Sequence, residues 1–138
     1  MTPRELQTRT KAFALRVVAL VDTLPRSTAG QVIGRQLLRS ATSVGANYRA
    51  ACRAQSRAEF AAKLSVVVEE ADESLYWLEL LQESSLIKPE RLTELLKEAN
   101  ELVAISVAAR KTAKQAIRNA GSSFGCQSSI DNRQSTIP

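Results

Sequence analysis

One amphipathic run constrains this chain more than any other feature. Between Phe60 and Leu78, apolar side chains recur at Phe60, Leu64, Val67, Val68, Ala71, Leu75 and Leu78, the spacing of a single helix face. Just upstream, Ser56-Arg57-Ala58-Glu59 has the form of a capping box, in which hydroxyl and carboxylate satisfy first-turn N–H groups. The far side carries Val66, Trp77 and Leu80 among Glu59, Glu69, Glu70 and Glu73. A helix with apolar side chains on two faces needs two neighbours, and in a chain this short the second can be another copy. The run therefore predicts a helical bundle and points to an oligomer.

The rest of the chain supplies partners for it. Thr2, Pro3 and Glu5 make a helix start with N-cap, first-position proline and capping box. The helix predicted over 3–23 turns Leu6, Phe13, Val17, Leu20 and Val21 inward and stops before Pro25, because a residue preceding proline is pushed out of the α region. Ser27 or Thr28 caps a second helix, 28–54, which buries Ile33, Leu37, Val44 and Tyr48. Gly30, Gly34 and Gly45 lie inside it. Each glycine costs about 0.5–1 kcal/mol relative to alanine, so they predict close approach of a neighbour, or fraying near Gly30, with tolerated weakness as the bland alternative.

The third helix is predicted over 57–83, and Pro89 opens a fourth over 89–118 with Leu92, Leu95, Leu96, Ala99, Leu102, Val103, Ser106 and Ala109 at helical spacing. Arg110, Lys111, Lys114 and Arg118 suit the negative end of that helix's dipole. Residues 119–138 are Ser-rich and without periodicity, which predicts a flexible tail with Phe124 and Ile130 as weak docking points. The predicted fold is all-α: an antiparallel up-and-down four-helix bundle over residues 1–118, followed by the tail.

Charge is distributed unevenly along this frame. The chain is basic, with a formal charge of +5, which permits a nucleic-acid or acidic partner. Residues 27–58 hold five arginines and no acid, whereas residues 59–90 hold eight acids and two bases. On a helix Arg35, Arg39, Arg49, Arg53 and Arg57 fall within an arc of roughly 80°, opposite the apolar side. This basic stripe is the candidate site.

Catalytic signatures are missing. No histidine occurs in the sequence, which removes the commonest general base, histidine metal sites and the Ser-His-Asp arrangement. P-loop and Rossmann glycine patterns are lacking as well. The carboxylates of Glu69, Glu70, Asp72 and Glu73 fit a solvated face or salt bridges to the arginine helix better than a cation site. Ser43 and Cys52 have no sequence-evident activating base. The expectation is a non-enzyme with no cofactor and no metal.

Cys52 and Cys126, 74 residues apart, have neither metal-type nor disulfide-framework spacing. With no apolar run of about 18 residues and no signal-peptide h-region at the N-terminus, the chain reads as cytoplasmic with no membrane partner.

The stretch from Gln36 to Leu81 resembles the signature region of the bacterial four-helix-bundle proteins named for those encoded in intervening sequences of 23S rRNA genes. Arg39, Ser43, Asn47, Arg53, Ser56, Phe60, Glu73, Trp77 and Leu80 carry the resemblance in order and spacing. It implies a ring-like homopentamer with a positively charged surface that binds nucleic acid, with Asn47, Arg53, Glu73, Trp77 and Leu80 at the subunit interface. A related branch acts as the accessory protein of diversity-generating retroelements, beside a reverse transcriptase; nothing in this chain assigns it there.

The leading sequence reading is a bundle that holds RNA or another nucleic acid by its phosphates, through Arg35, Arg39, Arg49, Arg53 and Arg57. Arg35, Arg39 and Arg49 are the preferred phosphate contacts, while Arg53 and Arg57, beside the turn into the third helix, suit structural work. The alternative is a protein-interaction scaffold or accessory subunit whose arginines serve mainly in assembly, for instance by pairing Arg53 with Glu73.

Overall fold

The computed structural model describes residues 1–123. It contains α1 (Pro3–Val21), α2 (Thr28–Cys52), α3 (Arg57–Glu83) and α4 (Thr93–Ser123), with a short 3-10 turn at Pro89–Arg91. Among the described residues there is no strand, and the four helices form the expected all-α up-and-down bundle. Each helix packs on the next, and α4 returns to touch α1 along a narrower seam.

Local sequence explains the ends. Thr2 and Glu5 form the full capping box. Ser27 is the N-cap of α2, its hydroxyl accepting from the Gly30 N–H at 3.1 Å. At α3 only half the expected box closes: Ser56 accepts from the Glu59 N–H, while the Glu59 carboxylate reaches past Ser56 to the Gln55 N–H.

Two boundaries differ from expectation in an instructive way. Pro89 starts a 3-10 turn, closed by the Leu92 N–H on the Pro89 carbonyl, and α4 itself begins at Thr93. At its other end α4 continues past Arg118 to Ser123, so residues 119–123 are helical where a tail was predicted. The remainder of that predicted tail, residues 124–138, lies outside the described residues, as do Phe124, Ile130 and Cys126. The longer helix also removes the dipole account of its basic residues. Dipole stabilisation fades within the last turn, and the last turn of α4 holds no base.

The core is aliphatic. Phe13, Val17, Leu37, Val44, Leu64, Val67, Leu78, Leu81, Leu92 and Leu102 are almost wholly buried, as their helical spacing requires. Ser40, Ser74 and Ser106 are buried too, and Ser74 meets Ser40 hydroxyl to hydroxyl across the α2–α3 seam at 3.0 Å.

The glycines of α2 do mark close approaches. A Cβ on Gly30 would lie 2.1 Å from the Pro25 carbonyl oxygen, so the α1–α2 connection folds directly over that residue. A Cβ on Gly45 would meet Thr10 of α1, at 3.3 Å from its hydroxyl and 3.5 Å from its carbonyl oxygen. Gly45 therefore brings the α1 and α2 backbones together.

Candidate nucleic-acid interface

The five arginines of the predicted stripe go to different places. Arg39 is committed to α3: its guanidinium donates to Glu70 at 2.8 Å and also to Glu73. Glu73 accepts in addition from Trp77 Nε1 at 3.2 Å. Burial pushes the Glu73 carboxyl upward, but the bonds from Arg39 and Trp77 outweigh it and hold the group below its ordinary value. Arg39 thus joins two helices, and its charge is locally balanced.

Arg49 has a different setting. It lines a groove of about 370 Å³ between α1 and α2, together with Arg4 and Lys11 from α1. Gln7, Thr8 and Thr42 add polar side chains, and Ala14, Gly45 and Ala46 complete the lining. No carboxylate lines this groove. The close approach at Gly45 sets its depth, and the small side chains leave room between the three cations.

Arg35 sits in a second recess of about 320 Å³ at the α1–α2 connection, with Arg26 and Gln31 but also Asp22, which offsets part of the charge. Arg53 is the C-cap of α2 and exposed, where a cation suits the negative end of the helix. Arg57, the first residue of α3, lines a separate cavity at the end of the bundle. The structure therefore keeps Arg49 in a cation-only groove, gives Arg35 a mixed one, and places Arg39, Arg53 and Arg57 elsewhere.

Arg4 and Lys11 were missed by restricting the stripe to α2. Their signal was present: Arg4, Thr8 and Lys11 stand at i, i+4 and i+7 on α1, one helix face. What the sequence of α1 alone could not show is that Gly45 draws this face against Arg49.

Sequence reasoning also missed the α1–α4 clasp. Arg9 donates to both oxygens of Glu98, at 2.7 Å each, and to Glu101 at 2.6 Å. Bidentate pairs of this kind are the stronger charge-assisted bonds. The Arg9 guanidinium holds the Glu98 carboxyl below its ordinary value against a smaller opposing push from burial, and Arg9 is itself raised, first by Glu98 and then by Glu101. A carboxyl lowered on folding stabilises the fold above its unfolded pKa, and that contribution is lost as pH falls through the folded value. Glu98→Gln is therefore expected to destabilise the protein by about 1–2 kcal/mol at pH 7. The difference from wild type should shrink once pH drops below about 4.3, as read by urea unfolding at neutral and acid pH.

The residues assigned to a subunit interface are distributed along α2 and α3. Asn47 Nδ2 donates to the Ser43 carbonyl within its own helix, at 2.9 Å. Trp77 is half-buried and packs edge-to-face against exposed Tyr76, with ring centroids 5.1 Å apart. Leu80 is half-buried. Within the chain Glu73 pairs with Arg39, and Arg53 has no ion pair among the described residues.

Among the described residues no group of His, Cys, Asp or Glu is placed to hold a metal ion, and no helix is long and apolar enough to cross a membrane.

Known proteins give the geometry a context. The family described as 23S rRNA-intervening sequence protein matches residues 4–108. A crystal structure of a protein of unknown function from the S23 ribosomal protein family of Bacteroides thetaiotaomicron VPI-5482 is 36% identical, with a TM-score of 0.74, covering 80% of this chain and 99% of that one. No curated protein matches the chain.

Proposed function

The chain belongs to the 23S rRNA-intervening sequence protein family, and from that premise we propose that it is a non-enzymatic oligomeric bundle that binds RNA or another nucleic acid by its phosphates. The observation that carries this reading is the α1–α2 groove, where Arg4, Lys11 and Arg49 converge with no carboxylate in the lining. Three cations lining one groove, none of them ion-paired among the described residues, favour an anion, and hydroxyl and amide groups from Thr8, Thr42 and Gln7 add neutral hydrogen-bonding capacity. Contacts of this kind position a strand without reading its bases. The absence of histidine from the sequence supports the non-enzymatic part.

Fluorescence anisotropy with a labelled RNA across a salt series tests the groove. Phosphate neutralisation predicts a linear fall of log affinity with log salt, with a slope of about −2 for three contacts to a single strand. Affinity indifferent to salt would remove the proposal.

A second reading, in which arginines do structural work instead of meeting phosphate, is favoured at one residue. Arg39 is engaged by Glu70 and Glu73, so its contribution is to hold α2 on α3 and to position Trp77 through Glu73. Assembly into a ring, with a pentamer as the expected size, would repeat the groove around the particle and multiply weak contacts. Light scattering is expected to show a particle several times the 15.1 kDa chain mass, and Trp77→Glu should break it into protomers that keep their helical circular dichroism. A monomeric wild type would refute the ring.

A further inference from the structure

A cavity larger than the basic groove adjoins it at Arg4 and Gln7, at the end of the bundle where α1 and α3 begin. Its volume is about 980 Å³, at the upper end of the ~300–1,000 Å³ range of small-molecule sites. The walls are mostly apolar: Phe60 of α3, Tyr48 and Cys52 of α2, and Ala109, Ala113 and Ala116 of α4. Tyr48 is almost fully buried, and burial, followed by the adjacent Cys52, raises its phenol above the ordinary value. The floor is therefore a region of low polarity.

The charged lining residues are Arg4 and Arg57, and no carboxylate contributes to it. Neither arginine has an ion pair among the described residues. The nearby first-turn carboxylates, Glu5 and Glu59, are turned back onto the backbone N–H groups of Thr2 and Gln55. Polar groups also belong to the lining through Thr2, Gln7 and Thr112.

The α4 wall lies wholly past residue 108, where the family match ends. Its residues, Ala109 to Ala116, belong to the C-terminal half of α4, a helix twelve residues longer than the 19-residue α1. This cavity is thus formed in part by the chain's own C-terminal helical segment.

We propose that the cavity binds an amphiphilic anion, a long-chain carboxylate whose alkyl chain lies against Phe60, Tyr48 and the α4 alanines while its head group meets Arg57 and Arg4. An alkyl chain fits walls that offer few hydrogen bonds, and the two cations at the same cavity select the sign of the head group. A cationic or neutral amphiphile would leave both arginines without a counter-charge. Arg4 also borders the basic groove, so Arg57 is the diagnostic charge for this site. The two sites share Arg4 and Gln7, and Arg57, Phe60 and the α4 wall belong to this one alone.

The test is isothermal titration of the full-length protein with dodecanoate, acetate and dodecyltrimethylammonium below their micelle thresholds. Dodecanoate is expected to saturate at one per protomer. Acetate should bind at least about a hundredfold more weakly, since each buried methylene adds to affinity. Arg57→Ala should weaken dodecanoate binding about tenfold, in line with loss of a charge-assisted contact. Thr112→Trp, which fills the cavity from an exposed position on α4, should abolish it without loss of helical circular dichroism, and Ala116→Trp is a second filling variant.

Equal binding of dodecyltrimethylammonium, no saturable binding, or indifference to both filling variants would overturn the proposal. So would two further results. A tenfold gain in affinity in the full-length Phe124→Ala/Ile130→Ala variant would identify the chain's own C-terminal segment as the occupant. An apparent affinity that falls as protein concentration rises would identify a second copy.

Discussion

Replacing Arg4, Lys11 and Arg49 together by glutamate is expected to lower RNA affinity by a hundredfold or more at about 50 mM salt and to flatten its salt dependence. Each single reversal removes one phosphate contact and should reduce the salt slope on a single strand by about 0.7. Each also sets a carboxylate against the incoming phosphate and beside the two cations that remain in the groove. The matched control is Arg39→Glu, which places a third acid against Glu70 and Glu73. That change should leave the salt slope intact and weaken the α2–α3 contact, visible as a lower unfolding midpoint. If the triple variant binds like wild type while Arg39→Glu abolishes binding, the interface lies on the α2–α3 face and the groove is not the site.

The fold was legible because its causes are local. The Thr2 and Ser27 caps, Pro25 after α1, and the apolar spacing of α3 each act within a few residues. The errors came where local signals compete. Pro89 suits both a helix start and a 3-10 turn, and the turn was formed, with Leu92 buried at its end. Past Arg118 the apolar periodicity fades, yet α4 continues through Asn119, Ala120 and Gly121, a stretch whose composition resembles the segment that follows it.

The site was less legible because it is made by pairing helices. A stripe on α2 is one-dimensional information, and α2 has three neighbouring environments along its length. Arg39 faces the acids of α3, Arg49 faces Arg4 and Lys11 of α1, and Arg35 lies at the α1–α2 connection. Residue type could not separate these arginines. Gly45 was the usable clue, since a glycine at a helix crossing marks where two backbones meet and thus which charges share a groove.

Phe13→Ala is expected to destabilise the protein by about 3–5 kcal/mol, the range for emptying a fully buried aromatic site. Phe13 is 1% exposed and belongs to the central core cluster, so its neighbours cannot refill the volume without moving α1. For a domain of this size that loss should lower the melting midpoint by roughly 10–20 °C. Leu15, two residues away, is 62% exposed and points outward from the same helix with Val18. In an isolated protomer Leu15→Ala should change stability by no more than about 0.5 kcal/mol. The pair of variants therefore reports on assembly as well as on packing. A Leu15→Ala penalty that grows with protein concentration would place the outer face of α1 inside the oligomer, against the Trp77 face proposed above. A penalty that stays small at every concentration leaves that face of α1 beside the basic groove open to a nucleic-acid strand.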